Sequence, residues 1–471
     1  MKTRIGDIFA VRLKRKGVYF VAQILGGGDE AGYFALVLDG FTSAPPSLKE
    51  ATKLKPFYFD HHFWKRGEFY LGTDKILDAE PVFIGNAASI CEPSECVRLQ
   101  NIEQIYMQLA WNELPKDIRA QFKSAHKQKL EISQPQSKEF YADLARQNPF
   151  CYEIKSAVWD ENLKDFLEQT PMMTVLELKN AGETLDVSRT YLQELVFNVS
   201  DTQEILLNGS LWRLAINGDT SRLKSVRCPF EGELLSVQLE LNGGGFCIRG
   251  LEKLRDLRIF SRRGECIDLA RVAASFPNLR EIFINAQGGT LNNIDALVKF
   301  KHLKDVWLSD VYGFENFPTK AQLPHLKRLW LWSVPKSACE AARAQFKDIE
   351  NFTIRQPRSK QWLAANLNNP LRGWDGREGI SAATAKKTMK AYVDAHKKLS
   401  ALEAESASNE LKIEKTEILK EFIAVFNAID AKHSIDTMER EEIWEAFCKL
   451  AEFAAVDAKA QDEIWVSNAE F

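Results

Sequence analysis

Large apolar residues recur at a fixed spacing through the middle of the chain. The spacing is L-x-x-L-x-x-L-x-L, where L is any large apolar residue, and the five copies begin 25, 24, 23 and 23 residues apart. Each copy alternates apolar and polar residues, which predicts a short strand with one buried side. One strand and its return segment cannot bury that side alone, so we expect successive copies to stack as a solenoid. The apolar positions are Leu251, Leu254, Leu257, Ile259, Phe276, Leu279, Ile282, Ile284, Phe300, Leu303, Val306, Leu308, Leu323, Leu326, Leu329, Leu331, Phe346, Ile349, Phe352 and Ile354.

The segments that return the chain between these strands differ along the solenoid. Residues 269–274 and 338–344 are rich in alanine and are typical of a turn of helix. Further upstream, 205–207 and 223–228 favour strand on the outer side. Shorter copies of the apolar frame flank these outer strands, at 173–178, 192–197, 211–216 and 234–239.

This frame resembles the leucine-rich-repeat family over 171–356, about 40% of the chain. The resemblance implies an α/β solenoid that binds other macromolecules. The family usually places Asn or Cys three residues after the last strand leucine. Here Asn242 is the nearby residue that fits, and we expect a less regular stack because the other positions hold Arg262, Gln287, Val311 and Val334.

The residues between the buried ones are expected to point out of the sheet, where stacking places equivalent positions about 4.8 Å apart. Three successive strands carry large aromatic residues there. Aromatic and arginine side chains dominate the energetic centres of protein interfaces. We predict a partner-binding surface formed by Arg258, Phe283, Trp307, Arg328, Trp330 and Trp332. In the alternative, the N- or C-terminal domain covers this column and makes it ordinary core.

Residues 1–100 have apolar runs of strand composition separated by turns rich in glycine or proline. They predict a small antiparallel β domain. The stretches 6–13 (GDIFAVRL), 19–25 (YFVAQIL) and 81–85 (PVFIG) resemble bacterial immunity protein 26 domains, over about a quarter of the chain. The resemblance implies that the protein protects a bacterium from a polymorphic toxin by binding that toxin, without chemistry.

Two further stretches favour helices. The polar stretch 101–170 predicts a helical connector that also caps the first repeat, since an open solenoid end would expose apolar residues. In 357–471, an apolar stripe at helical spacing and a helix start at Asp436 predict a helical bundle, and Trp465 and Phe471 are expected to be exposed.

The predicted fold class is therefore an α+β multi-domain protein. Its parts are a small antiparallel β domain (1–100), a helical connector and repeat cap (101–170), a leucine-rich-repeat α/β solenoid (171–356) and a C-terminal helical domain (357–471).

Charge and composition narrow the classes of partner. The chain has 62 basic and 65 acidic residues, a net charge of -3, and lacks the basic excess that binds DNA or RNA. No run approaches the roughly 18 apolar residues of a membrane helix, and the first residues lack the features of a secretory signal. We expect a cytoplasmic protein with no nucleic-acid or membrane partner. Its 8 cysteines form no C-x-x-C pair and are expected to be reduced, mostly as core residues.

Three short motifs contain residue types that can take part in chemistry. Asp60-His61-His62 offers metal-binding side chains, but adjacent strand residues point to opposite sides and no second ligand cluster is visible, so no metal site is expected. The glycine triplets 26–28 and 243–245 lack the Gly-Lys-Ser/Thr end of a phosphate loop and predict turns. The basic run at 12–16 predicts a solvated hairpin tip.

These expectations combine into one functional hypothesis. We expect a non-catalytic, cofactor-free protein that binds and neutralises a cognate bacterial toxin. A general repeat adaptor without a toxin partner is the alternative. An enzyme is disfavoured because no nucleophile, metal or phosphate motif stands at a usable spacing.

Overall fold

The computed structural model forms two compact units, Met1–Leu257 and Arg258–Phe471. Asn242, the glycine triplet 243–245 and His62, which were singled out from the sequence, lie outside the described residues. The structure describes residues 3–28, 32–61, 64–72, 76, 79–91, 97–99, 102–124, 128–147, 151–170, 173–241, 247–262, 264–402, 409–432 and 434–471.

The first unit begins with a β-sheet. Its strands are β1 (Asp7–Leu13), β2 (Val18–Gly28), β3 (Gly32–Thr42), β4 (Tyr58–Phe59), β5 (Gly67–Gly72), β6 (Val82–Asn86) and β7 (Val97–Leu99). They lie in the order β4-β5-β3-β2-β1-β6, with β7 parallel to β5 and the other pairs antiparallel. Alternate residues of β1 and β2 pack into separate cores on the two faces, such as Phe9 and Phe20 on one and Ile8 and Val21 on the other. The predicted antiparallel sheet is confirmed.

The turn between β1 and β2 packs against the repeats of the same unit. Arg15 donates from Nη2 to the carbonyl oxygens of Leu211 (2.8 Å) and Leu234 (3.2 Å), and Lys14 pairs with Glu233. The prediction of a solvated tip was wrong, because the carbonyl groups that attract this basic run lie about two hundred positions away in sequence.

The stretch predicted as a helical connector contains strands as well as helices. Leu130 of one new strand pairs in parallel register with Ile154 of the next, and Ile154 pairs with Leu176. The parallel sheet therefore starts before residue 171. Backbone hydrogen bonds to the adjacent strand extend the sheet there, although the sequence of this stretch does not match the leucine frame well enough to predict strands. The elements are α2 (Glu103–Glu113), α3 (Lys116–Ser124), β8 (Gln128–Ile132), α4 (Lys138–Gln147), β9 (Cys151–Ser156) and α5 (Glu161–Gln169), after a short α1 (Leu48–Ala51) in the β domain.

Parallel strands continue through the rest of the first unit in the order β8-β9-β10-β12-β14-β16. The outer strands pair in parallel with one another, which confirms the strands predicted near 205–207 and 223–228. The inner strands are β10 (Val175–Leu178), β12 (Glu194–Val199), β14 (Arg213–Gly218) and β16 (Ser236–Leu241). The outer strands are β11 (Thr184–Asp186), β13 (Glu204–Leu206) and β15 (Ser225–Arg227).

The second unit continues the repeat pattern, with inner strands in the order β17-β19-β21-β22-β23. Each predicted copy of the apolar frame forms one of these strands, and frame residues such as Ile259, Ile284 and Leu331 are fully buried. The stacked parallel strands of the prediction are thereby confirmed. The inner strands are β17 (Asp256–Ser261), β19 (Glu281–Asn285), β21 (Asp305–Ser309), β22 (Arg328–Trp332) and β23 (Asn351–Arg355). The outer elements include β18 (Cys266–Asp268), α6 (Leu269–Ser275), β20 (Thr290–Asn292) and α7 (Lys336–Phe346).

Helices complete the second unit and pack around Phe422, Phe426 and Phe447, as predicted. The expectation that Phe471 is exposed was wrong, because its ring is 8% exposed and packs 5.6 Å from that of Trp465. The helices are α8 (Lys360–Asn366), α9 (Ala382–Leu402), α10 (Asn409–Asp430), α11 (Thr437–Phe453) and α12 (Ala458–Asn468). None of the helices in the described ranges combines the length and the apolar character that crossing a membrane requires.

Candidate functional site

Parallel, in-register pairing in the second unit brings the predicted aromatic residues together. Phe283 of β19 lies beside Trp307 of β21, and Trp307 lies beside Trp330 of β22. Trp332, two residues after Trp330, projects from the same side of the sheet because side chains alternate along a strand. We call this surface, formed by Phe260, Phe283, Trp307, Trp330 and Trp332, the aromatic face.

The rings of the aromatic face form a continuous column. Centroids are 5.4 Å apart between Phe260 and Phe283, and 6.5 Å apart between Phe283 and Trp307. The Trp307 and Trp330 rings stack at 4.7 Å with an interplanar angle of 17°. The guanidinium carbon of Arg355 lies over the Trp330 ring, 5.6 Å from its centroid. Stacking fixes the ring orientations, so the column presents a preformed surface.

Exposure differs between the members of the aromatic face. Trp332 is 42% exposed, and its indole N–H donates to Gln356 Oε1 at 3.0 Å. The rings of Phe283, Trp307 and Trp330 are half-buried. The column is therefore partly core and partly open surface. The structure does not test whether it binds a partner, and the predicted site stays a prediction.

Arg328 anchors the column through a buried carboxylate. Its Nε donates to Asp305 Oδ1 at 2.5 Å and its Nη2 to Asp305 Oδ2 at 2.6 Å, while Glu281 lies 3.8 Å away. The Asp305 side chain is only 3% exposed, whereas that of Arg328 is 43% exposed. Arg328 was predicted to contact a partner, and the structure places it in an internal ion pair that holds two neighbouring strands in register. Arg258, the remaining predicted residue, lies exposed on β17.

A groove of about 630 Å³ adjoins the aromatic face, between the carboxyl ends of β19, β21 and β22 and the helices of the same unit. Trp332 lines both surfaces. Four non-glycine residues at its rim, spaced 23 positions apart, have left-handed backbone angles with φ between 47° and 51°. Such angles are uncommon outside glycine. The residues are Gln287, Asp310, Ser333 and Gln356.

Two arginines line this groove, and each forms an ion pair with an aspartate. Arg372 donates to both carboxylate oxygens of Asp310 at 2.8 Å, and Arg358 pairs with Asp375. Burial, and then the nearby Asp310 carboxylate, raise the pKa of Tyr312 to about 12. The Tyr312 hydroxyl therefore stays protonated and donates to Asp310 at 2.8 Å. These internal hydrogen bonds and ion pairs stabilise the fold around the groove.

Sequence reasoning missed the arginines that complete this region. Arg355, Arg358 and Arg372 are not among the residues predicted for the site. The residues Asp310, Ser333 and Gln356 recur every 23 positions, in step with the strands, and that spacing was a signal that could have been found. The partners of Arg372 carried no signal, because Asp310 lies 62 positions away.

The residues weighed for metal binding have structural surroundings. His61 is buried with its ring 4.3 Å from that of Trp64, and the amide N–H of Asp60 donates to Gln108 Oε1. Nowhere in the part of the chain that the structure describes do three or more His, Cys, Asp or Glu side chains gather as metal ligands.

Comparisons with known proteins add little to this geometry. The sequence matches no protein-family model, and it matches no curated protein. A chain in the crystal structure of the LRIM1/APL1C complex is similar to 71% of this chain and over 86% of its own length, with 13% sequence identity and a TM-score of 0.24. That TM-score is too low to support an argument. The class of protein, a solenoid-like stack of parallel strands joined to a β-sheet and to helices, therefore rests on the observed strand pairing.

Proposed function

We propose that this chain is a non-catalytic repeat protein that binds another protein through the aromatic face. The observation that carries the proposal is the stacked pair Trp307 and Trp330 beside the exposed Trp332. Large rigid rings bury much area at little conformational cost, and they are enriched at the centres of protein interfaces. Exposed apolar patches on soluble proteins mark interaction sites.

The narrower proposal is that the partner is a cognate bacterial toxin and that binding neutralises it in the cytoplasm. It is supported by the resemblance of residues 6–13, 19–25 and 81–85 to immunity protein 26 domains. Neutralisation by occlusion requires complementary shape and charge and slow dissociation, and it requires no cofactor. A general repeat adaptor without a toxin partner is the second candidate, and the stacked parallel strands, which can present the aromatic face to any protein, support it.

A neutralisation assay tests both levels of the proposal. Each gene beside this one in its genome is expressed in a bacterial host, with and without the full chain. We expect one neighbour to be lethal alone and the wild-type chain to restore growth. Trp332→Ala is expected to lose that protection while lowering the free energy of unfolding by no more than about 2 kcal/mol, since Trp332 is the most exposed member of the aromatic face.

The control is Tyr191→Ala, which removes an exposed aromatic residue from the first unit. It should protect as well as the wild type. If protection survives both Trp332→Ala and Trp330→Ala, the aromatic face is not the binding surface. If no neighbouring gene is lethal, the toxin proposal fails. The adaptor proposal then depends on whether a partner from the native host crosslinks to the aromatic face.

A further inference from the structure

The arginines on the inner strands of the second unit differ in whether they are paired. Arg328 lies against the carboxylates of Glu281 and Asp305. Arg258 and Arg355 are exposed, and neither forms an ion pair within the part of the chain that the structure describes. An exposed arginine without an ion pair therefore lies at each end of the aromatic face. The acidic residues on the inner strands β17, β19, β21, β22 and β23 are Asp256, Glu281 and Asp305.

The orientation of the tryptophan rings, like the exposed arginines, favours a negatively charged partner. Trp307 and Trp330 stack on each other, and Arg355 lies over the Trp330 ring, so this pair offers mainly its edges to an incoming partner. The edge of an aromatic ring carries partial positive charge, whereas its face is negative. Carboxylates are attracted to such edges. Nucleobases bind by stacking on open ring faces, so the stacked pair suits a nucleic acid less well.

The two exposed arginines define a distance. Arg258 is on β17 and Arg355 on β23, which are four strand spacings apart in the sheet. At about 4.8 Å for each spacing, and with a small offset along the strands, their attachment points lie about 20 Å apart. A partner helix covers that distance in about 13 residues.

We infer that the aromatic face recognises an acidic protein segment, in which apolar side chains lie on the tryptophans between carboxylates about 20 Å apart. Each end carboxylate pairs with Arg258 or Arg355, and the apolar side chains contact Trp307, Trp330 and Trp332. This inference rests on the proposed function and specifies the chemistry of its partner.

A peptide selection tests it without knowledge of the natural partner. A phage library of random peptides, long enough to span the face, is selected on the full-length protein. The enriched peptides are synthesised, and their affinity is measured by fluorescence polarisation. We expect acidic peptides with apolar centres, and binding that weakens about tenfold or more when salt is raised from roughly 50 to 500 mM.

Matched variants separate charge from packing. Arg258→Glu with Arg355→Glu should weaken the selected acidic peptides by about tenfold or more, and should instead enrich basic peptides in a fresh selection. The control is Arg271→Glu with Arg343→Glu, two arginines on the outer helices. It should leave both results unchanged. The melting temperature of each variant establishes that it is folded.

The outcomes distinguish this inference from the function on which it rests. The selected peptides could lose binding to Trp332→Ala but show neither an excess of acidic residues nor weaker binding to the charge-reversed variant. That result would overturn the inference of an acidic partner and leave the proposal of protein binding intact. If no enriched peptide depends on Trp330 or Trp332, both proposals fail. An oligothymidine probe that binds in a Trp332-dependent way, more tightly than any peptide, assigns the face to nucleic acid and overturns the inference.

Discussion

At the scale of single residues, the position of the aromatic face depends on polar contacts beneath and beside it. Asp305 is nearly excluded from water, and Arg328 satisfies both of its oxygens. A buried carboxylate without its partner is costly, whereas an exposed pair contributes little. Arg328 therefore has a structural role, and its contact with a partner stays a prediction.

We predict that Arg328→Met lowers the free energy of unfolding by roughly 1–3 kcal/mol, because it leaves Asp305 buried without its cation. Arg271→Met is the matched control, since its pair with Asp268 is long (3.8 Å) and its side chain is 62% exposed. The control should lose less than about 1 kcal/mol. Urea denaturation measures both, and equal losses would contradict the role given to Arg328.

Cysteine reactivity is a second prediction at this scale. Burial raises the pKa of Cys339 and that of Cys228 to about 11, whereas Cys247 and Cys266 are exposed. Only the thiolate reacts, and at pH 8 a thiol of pKa about 11 is ionised in roughly one molecule in a thousand. Iodoacetamide followed by mass spectrometry should find Cys247 and Cys266 modified before Cys228 and Cys339. Unfolded protein, in which all four should react at similar rates, is the control.

At the scale of elements, the β1–β2 turn shows how a basic segment gains a specific site. Lys14 and Arg255 both contact Glu233, whose side chain is only 12% exposed. Burial alone would raise the pKa of Glu233, but the hydrogen bond from Lys14 and the charge of Arg255 outweigh it and hold the pKa below its ordinary value. The turn is thus attached to the repeats by a carboxylate that stays ionised.

The lowered pKa predicts the pH dependence of this attachment. A carboxyl group with a lowered folded-state pKa stabilises the fold above its ordinary value of 4.5, and loses that effect as pH falls through the folded-state pKa. Glu233→Gln should therefore lose less stability than the wild type when urea denaturation is repeated from neutral pH to below 4.5. Glu231→Gln is the control, because its pair with Lys253 is exposed, and it should follow the wild type.

At the scale of the whole molecule, each of the two units contains parallel strands and one further part. The first unit also contains the antiparallel sheet, and the second also contains the helices α8 to α12. In the second unit, Arg372 follows α8 and joins the helical part to the repeats through Asp310 and the carbonyl oxygen of Gln287. Gly288 leaves room for it, since a Cβ there would lie 2.5 Å from Arg372 Nη2.

We predict that Arg372→Met loosens the second unit and lowers its free energy of unfolding by roughly 1–3 kcal/mol. Hydrogen–deuterium exchange should rise at residues 309–312, which carry the Asp310 contact. Arg343→Met, an exposed arginine on α7, is the control and should leave exchange unchanged. Unaltered exchange in Arg372→Met would show that the helical part does not depend on this contact.

The amino-acid sequence by itself determined the stacked strands of the second unit and the residues on their inner face. Burial along a strand alternates with every residue, and the repeat recurs about every 23 positions, so the positions of Phe283, Trp307 and Trp330 follow from local pattern. The antiparallel sheet and the helical bundle followed in the same way.

Only the tertiary structure decided which residues meet across long separations. Strands β8 and β9 carry too few apolar residues to be recognised alone, and pairing with β10 defines them. Arg15 reaches a carbonyl group 196 positions away, and Arg372 reaches Asp310 across 62. These contacts depend on where each polar group lies once the chain is folded, and local periodicity does not specify that position.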